Sequence, residues 1–421
     1  MRVAVMTAGS RGDVAPYTGL GHGLARAGHQ VTLVTHACFA PLAEAAGIHF
    51  HALPVDPRSE LESAPGRDLH RSTTGAGKLA RVIAMARNVI GELTDDMVAA
   101  AQASDVLLLS ATLGALGHTI AAGLGLPSMG VHLVPIAATG EFAPPLTGAR
   151  SWGRPGNRLA AHAVNSAVDR IFADTDHALR TRFGLPRTGT RAARRAREQQ
   201  DWPVFHGFSE LVLPRPRDWR PGLRVAGYWW PHDPPSARLS PALDDFLAAG
   251  PPPVFVGLGS AVVPDPARVS ETVVRALRTA GLRGVIQCGW SGLRADGEDM
   301  FSVGEVPHSA LFPRTAAVVH HAGAGTTAAA LRAGVPAVPV PVQFDEAFWA
   351  ARLAALGVSP GAVPLRRLSA GALTTALVRA TTQPAYGQRA RALAARLRAE
   401  DGVRPVLAAV DELAGGRRPA A

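Results

Sequence analysis

Short apolar runs alternating with helical patterns constrain this chain more than any other feature. Val3 to Met6, Val31 to Val34, Ile48 to Leu53, Val106 to Leu109 and Ser128 to His132 have the length and composition of buried strands, and Pro16 to Ala27 and Pro41 to Ala46 read as helices between them. The same logic restarts farther along with strand Pro253 to Leu258, turn Gly259-Ser260, helix Pro266 to Ala280 and strand Gly284 to Cys288. Such alternation predicts an α/β protein with doubly wound parallel sheets, and its repetition predicts two Rossmann-like domains facing across a cleft. A chain of 421 residues exceeds one typical core and suits two α/β domains of roughly 200 residues each. Residues 214–241 are dense in proline and carry Trp219, Trp229 and Trp230. The expected division is therefore a first domain over 1–214, a linker over 215–241 and a second domain over 242–421.

One turn in the second half has a chemical reading. His320-His321-Ala322-Gly323-Ala324-Gly325-Thr326-Thr327 lies between the apolar run Ala316 to Val319 and the Ala/Leu-rich segment Ala328 to Ala333, so it reads as strand, glycine turn and helix start. The first turn of a helix leaves backbone N–H groups unpaired and carries partial positive charge, and glycines let an anion approach the backbone. Thr326 can add a hydroxyl and His321 a ring proton. A further strand, Ala337 to Val342, delivers Asp345 and Glu346 just past its C-terminal end, the edge where open α/β sheets bind ligands. Phosphate donors followed by paired carboxylates suit a nucleotide sugar.

The segment from Val306 to Gly357, VPHSALFPRTAAVVHHAGAGTTAAALRAGVPAVPVPVQFDEAFWAARLAALG, resembles the donor-binding signature of the two-domain (GT-B type) inverting glycosyltransferases of the UDP-glycosyltransferase family. Within that family it looks most like the bacterial and fungal sterol glucosyltransferases and the actinomycete antibiotic glycosyltransferases. The likeness extends over nearly the whole chain. GSRGDVAPYTGLGHGLARAGHQVTLVTHACFAPLAEAAGIHFHALP resembles the first acceptor-domain turn, EFAPPLTG a segment near the acceptor pocket, and GFSELVLPRPRDWRPGLRVAGYWWP the sterol-type linker.

The resemblance implies a set of roles. His321, Gly323, Ala324, Gly325 and Thr326, with Ser260 from the first turn of the second domain, would hold the donor diphosphate. Val306 would meet the nucleotide base, and Asp345 and Glu346 the donor sugar. Asp13 would be the catalytic base in the acceptor-side turn with Ser10, Arg11 and Gly12; the alternative for Asp13 is ordinary capping of a helix start, and His22 is the fallback base. Trp290 is either packing or a nucleotide contact. The last helical segment, Tyr386 to Glu400, would pack across the domain junction. Four positions depart from the family: Ala322 stands where a glycine is usual, Glu346 where Gln is usual, Glu210 where proline is usual, and Arg11 near where related branches have histidine. Ionised Glu only accepts hydrogen bonds whereas Gln also donates, so Glu346 implies a donor other than plain glucose, or an altered preference for it.

The net charge of +10 rests on arginine, since Lys78 is the only lysine, and arginines crowd between Arg180 and Arg197. Nucleic-acid binding would want basic residues interleaved with aromatics. With aromatics at 5%, a solvated basic helical segment is the expectation and no nucleic-acid partner is implied. Cys38 and Cys288 suggest neither a disulfide framework nor a metal site. Met1-Arg2 runs straight into an apolar strand, which leaves no room for a signal peptide, and Val106 to Leu126 is broken by Ser110, Gly114, Gly117-His118 and Gly123, so no membrane span is expected. A cytoplasmic enzyme, monomeric or weakly dimeric, follows.

Two motifs carry no chemistry in this reading. Asp174-Thr175-Asp176 has the form of a metal-binding pair but falls within an expected helix, Asn157 to Leu179, as a solvated face, and Gly19, Gly21 and Gly23 lie in a helix and lack the last glycine of a dinucleotide fingerprint. The adjacent His320 and His321 point to opposite faces of a strand, which disfavours a shared metal. The sequence thus points to metal-independent transfer of a sugar from a UDP- or dTDP-linked donor, without a cofactor, to a hydroxyl of a hydrophobic acceptor such as a polyketide, another natural-product aglycone or a sterol. The acceptor pocket is expected from Leu61 to Met97 and Leu113 to Phe142. The alternatives are a catalytically silent partner of another transferase, and a nucleotide-sugar epimerase or hydrolase.

Overall fold

The computed structural model describes residues 1–56, 90–234 and 236–415. Its chain divides into two compact units, Met1–His232 with Asp401–Ala421, and Asp233–Glu400. The part of the expected acceptor pocket from Leu61 to Val89 lies outside the described residues.

The first unit runs β1 (Arg2–Met6), α1 (Arg11–Arg26), β2 (Gln30–His36), α2 (Ala40–Ala45), β3 (His49–Leu53), α3 (Thr94–Gln102), β4 (Val106–Leu109), α4 (Gly114–Leu124) and β5 (Ser128–His132). Three helices follow, α5 (Gly153–Ile171), α6 (Ala173–Arg182) and α7 (Thr190–Gln199), then the short strands β6 (Val204–His206) and β7 (Leu223–Val225). All strands are parallel, in the order β3-β2-β1-β4-β5-β6-β7. The order reverses between β1 and β4, and that crevice is where such a sheet takes a ligand.

The second unit comprises α8 (Pro241–Ala248), β8 (Val254–Gly257), α9 (Pro266–Thr279), β9 (Gly284–Gln287), β10 (Met300–Val303), α10 (His308–Leu311), β11 (Ala317–His320), α11 (Ala324–Ala333), β12 (Ala337–Pro339), α12 (Glu346–Ala355), α13 (Ala370–Thr382) and α14 (Pro384–Leu397). Its parallel sheet has the order β10-β9-β8-β11-β12, so the switch lies between β8 and β11. The segment expected to cross the junction, Tyr386 to Glu400, forms most of α14 and packs on α11 within this unit. The helix that belongs to the first unit is α15 (Arg404–Ala414), whose Val406, Ala409 and Val410 join the core formed by β1, β2 and α1.

Both cores are apolar on both sheet faces, as parallel strands require. The Pro-rich stretch takes part in the first one: β7 is its edge strand, and buried Trp229 donates from Nε1 to Gly402 O at 2.8 Å. The glycines of α1 are packing positions. A β-carbon on Gly19 would collide with Trp230 O, one on Gly21 would lie 2.9 Å from Ile48, and one on Gly23 2.7 Å from Val403.

Two surface expectations are corrected. The helix expected over Asn157 to Leu179 breaks at Phe172 into α5 and α6, and Asp176 is buried rather than solvated. Asp176 accepts from Thr119 Oγ1 at 2.5 Å and from Arg180 Nε at 2.8 Å. Of the basic cluster, Arg194 is largely buried and pairs with Asp169 and Glu198, whereas Arg182 pairs with Asp95 at the surface. Among the described residues no helix is long and apolar enough to cross a membrane.

Candidate active site

The β1–α1 turn is closed on itself. Ser10 is the N-cap of α1, and Asp13, at the third helical position, accepts from Ser10 N at 2.8 Å and from Ser10 Oγ at 2.9 Å. This reciprocal capping box satisfies donors that a helix start would otherwise leave open. The helix therefore begins at Arg11, and Pro16, expected as its start, lies inside it. Thr7 Oγ1 donates to Asp13 O at 2.9 Å. Gly9, at φ +138°, is where the carboxylate crosses the backbone: a β-carbon there would stand 2.5 Å from Asp13 Oδ2. Burial pushes the Asp13 carboxyl up from the ordinary carboxylate value, against the Ser10 bonds that favour its charged form. A carboxylate so raised is a better proton acceptor than a free one.

His36, which the sequence reading passed over, braces this turn. Gly9 N–H donates to its Nε2 at 3.0 Å, so Nδ1 carries the proton and donates to Val55 O at 2.6 Å. Burial lowers its pKa and keeps the ring neutral. The available signal was its position as the last residue of β2, beside β1 in the sheet. Arg11 and Gly12 are exposed at the start of α1. His22 is not part of the turn: nine residues beyond Asp13 on α1, about 14 Å along the axis, it donates to Ala46 O through Nδ1 at 2.9 Å and lies tilted against the His232 ring.

In the second unit the turns after β8 and β11 meet over one imidazole. A β-carbon on Gly259 would lie 2.6 Å from His321 Cε1, and one on Gly323 would collide with Nε2. The ring fits because both positions lack a side chain. His321 is 9% exposed, its Nδ1 has no hydrogen-bond partner, and burial lowers its pKa to about 4. Beside it, Gly323 is the N-cap of α11 and supplies no side-chain bond, so the N–H groups of Ala324, Gly325 and Thr326 form an open helix start. Thr327, one residue on, is buried with its hydroxyl unpartnered.

His320 has a separate task. Ala322 N–H donates to its Nδ1 at 3.1 Å, and this bond holds Ala322 at φ +69°, a left-handed conformation that glycine adopts more easily. Ser260 is half-buried at the switch point, directly after Gly259. Trp290 contributes through its backbone, donating to Gly259 O at 3.1 Å. Val306, half-buried past β10, packs against the second unit's core.

Asp345 and Glu346 follow β12. Glu346 is 4% exposed, and its Oε2 accepts from Val342 N at 2.5 Å and Gln343 N at 2.7 Å. Asp345 Oδ2 accepts from Trp349 Nε1 at 2.7 Å. One oxygen of each carboxylate thus fixes the loop that carries them. Among the described residues no group of three or more His, Cys, Asp or Glu is arranged to hold a metal ion.

Residues 3–137 match the glycosyltransferase family 28 N-terminal domain, and residues 291–413 the erythromycin biosynthesis protein CIII-like C-terminal domain. The chain is 37% identical to the O-mycaminosyltylonolide 6-deoxyallosyltransferase of Streptomyces fradiae, over 100% of its own length and 99% of that protein. It belongs to this glycosyltransferase family. The glycosyltransferase is also 30% identical to the sterol 3-beta-glucosyltransferase UGT80A2 of Arabidopsis thaliana, over 96% of its own length and 64% of that longer protein. A Streptomyces sp. SF2575 glycosyltransferase solved with thymidine diphosphate has the same fold, with a TM-score of 0.65 at 20% identity over 98% of this chain and 99% of that one. The chain is a glycosyltransferase of GT-B fold, built from two parallel-sheet Rossmann-like units.

Proposed function

We propose that this glycosyltransferase moves a sugar from a UDP- or dTDP-linked donor to a hydroxyl of a hydrophobic natural-product or sterol acceptor, with inversion at the anomeric carbon. The observation that carries the donor half is the buried His321, seated between two glycines with an unpartnered ring nitrogen beside the open start of α11. A neutral imidazole N–H and a row of helix N–H groups match a diphosphate leaving group. Ser260 and Thr326 add hydroxyls, Val306 meets the base, and the Asp345-Glu346 loop holds the sugar. Helix donors supply the charge stabilisation, so the reaction needs no metal, and EDTA leaves the rate unchanged.

Asp13 takes the proton from the acceptor hydroxyl as that oxygen attacks the anomeric carbon. Its support is a raised pKa and a position at the switch point of the first sheet. Glu346, by fixing Val342 and Gln343, sets the loop conformation that selects the donor. The enzyme acts in the cytoplasm as a monomer or weak dimer. Incubation with nucleotide sugars and a panel of polyketide and sterol acceptors, read by mass spectrometry, tests the reading. A glycoside with inverted anomeric configuration is expected, and release of nucleoside diphosphate without any glycoside overturns it.

A further inference from the structure

We propose that His132 and the N-terminal turn of α4 form a second polar subsite for the acceptor, which receives a hydroxyl or carbonyl oxygen of a polyoxygenated aglycone. The inference rests on the first unit being the acceptor side.

His132 ends β5 and His206 ends β6, paired in register, with ring centroids 5.7 Å apart and edge to face. The two are not equivalent. His206 donates from Nδ1 to Arg224 O at 3.0 Å, leaving only Nε2 without a partner, and stacks on Trp219 with centroids 4.6 Å apart. His132 is 7% exposed and neither of its ring nitrogens has a partner. An unmet buried polar group is destabilising, so a purely structural residue here would be better as a hydrocarbon.

The surroundings of Nε2 give the direction of the missing partner. Gly114 opens α4, and the place where its β-carbon would stand is 3.9 Å from His132 Nε2, with no other contact within 4 Å. The absent side chain leaves a cradle bounded by the imidazole. Leu113, the N-cap, gives no side-chain bond to the first turn of α4, so helix N–H groups border the same space. Thr112, two residues before Gly114, donates to Ala8 O at 3.0 Å in the chain leading to Asp13. The cradle and Asp13 therefore share the C-terminal edge of one sheet, on strands two apart, about 10 Å at the usual strand spacing.

Burial, with His206, Arg197 and Arg220 nearby, keeps the His132 ring uncharged, which matches a neutral oxygen better than an anion. A monohydroxy sterol with its one hydroxyl at Asp13 would lay hydrocarbon against this ring. An aglycone with a second oxygen about 10 Å from the first would satisfy it.

Gly114→Ala adds a methyl group where the protein leaves room for it, so the variant folds and reports on the ligand. Calorimetric titration of wild type, Gly114→Ala and His132→Phe with O-mycaminosyltylonolide, other polyhydroxylated macrolactones and cholesterol tests the subsite. Both substitutions should weaken macrolactone binding about tenfold, the value of one or two lost hydrogen bonds, and leave cholesterol within twofold; His132→Phe should melt no lower than wild type. Equal effects on both acceptor classes, no effect on either, or a large fall in the melting point of His132→Phe would overturn the subsite. Absence of acceptor binding by wild type, with nucleoside diphosphate still bound, would instead overturn the acceptor assignment of the first unit.

Discussion

The β1–α1 turn and the β11–α11 turn each flank the switch point of their own sheet, the first on the strand before the reversal and the second on the strand after it, and their helix starts are used in opposite ways. In the first, Asp13 answers the donors of Ser10 and the helix start is closed. In the second, Gly323 answers nothing, and the donors of α11 stay open beside a neutral His321. A closed start with a raised carboxyl can accept a proton but has little to offer an anion. An open start with an imidazole has the reverse aptitude. In the proposed mechanism the same strand-turn-helix architecture therefore serves as a base in one unit and a leaving-group seat in the other.

The comparison breaks most severely at Asp13. Asp13→Asn keeps an acceptor oxygen for Ser10 but cannot take a proton, so transfer should fall about 10²- to 10⁴-fold while nucleoside diphosphate binding is unchanged; steady-state rates and calorimetry check the two halves. Next come Gly323→Ala and Gly259→Ala, which push a methyl group into the His321 ring. Each should weaken diphosphate binding roughly 10- to 100-fold, the worth of a charge-assisted hydrogen bond, with the first unit's acceptor binding intact.

Acid separates the turns in another way. His320 and His321 are held down to about 3 and about 4 in the fold, against about 6.5 when unfolded. Between those values the unfolded chain binds more protons, so their contribution is intact above about pH 6.5 and is lost as pH falls toward 4. Denaturation midpoints measured across that range should fall, and the fall should be shallower in His321→Phe. Transfer should fail through Asp13 as well, with an acidic limb above the ordinary carboxylate value that is absent from the residual rate of Asp13→Asn.

The smallest expected effect is at Ala322. Ala322→Gly relieves a left-handed backbone that costs an L-residue about 1–2 kcal/mol, offset in part by the greater freedom of glycine in the unfolded chain. A gain of up to about 1 kcal/mol in denaturant stability should follow, with diphosphate affinity unchanged.

The sheets were readable because buried parallel strands are mainly apolar: Val106–Leu109 and Ser128–His132 have the bounds that the pattern gives. The short strands Val204–His206, Leu223–Val225 and Met300–Val303 escaped, being three or four residues long with a polar residue in each. Pro16 misdirected the start of α1, although Ser10 followed three residues later by Asp13 is itself a capping signal. The glycine turn between β11 and α11 was visible as strand, turn and helix start since its glycines are local. The tasks of His36, His132 and Glu346 were not, because each depends on a partner brought near by the fold: Gly9 for the first, the cradle at Gly114 for the second, the Val342-Gln343 backbone for the third.

The division of labour between the two turns is tested most directly by titrating UDP and dTDP into wild type, Asp13→Asn and His321→Ala, alongside transfer rates for the same three proteins. The account predicts that Asp13→Asn binds the preferred diphosphate as tightly as wild type yet transfers almost no sugar, whereas His321→Ala binds it roughly 10- to 100-fold more weakly. Wild-type diphosphate affinity in His321→Ala, or near-normal transfer by Asp13→Asn, would contradict it.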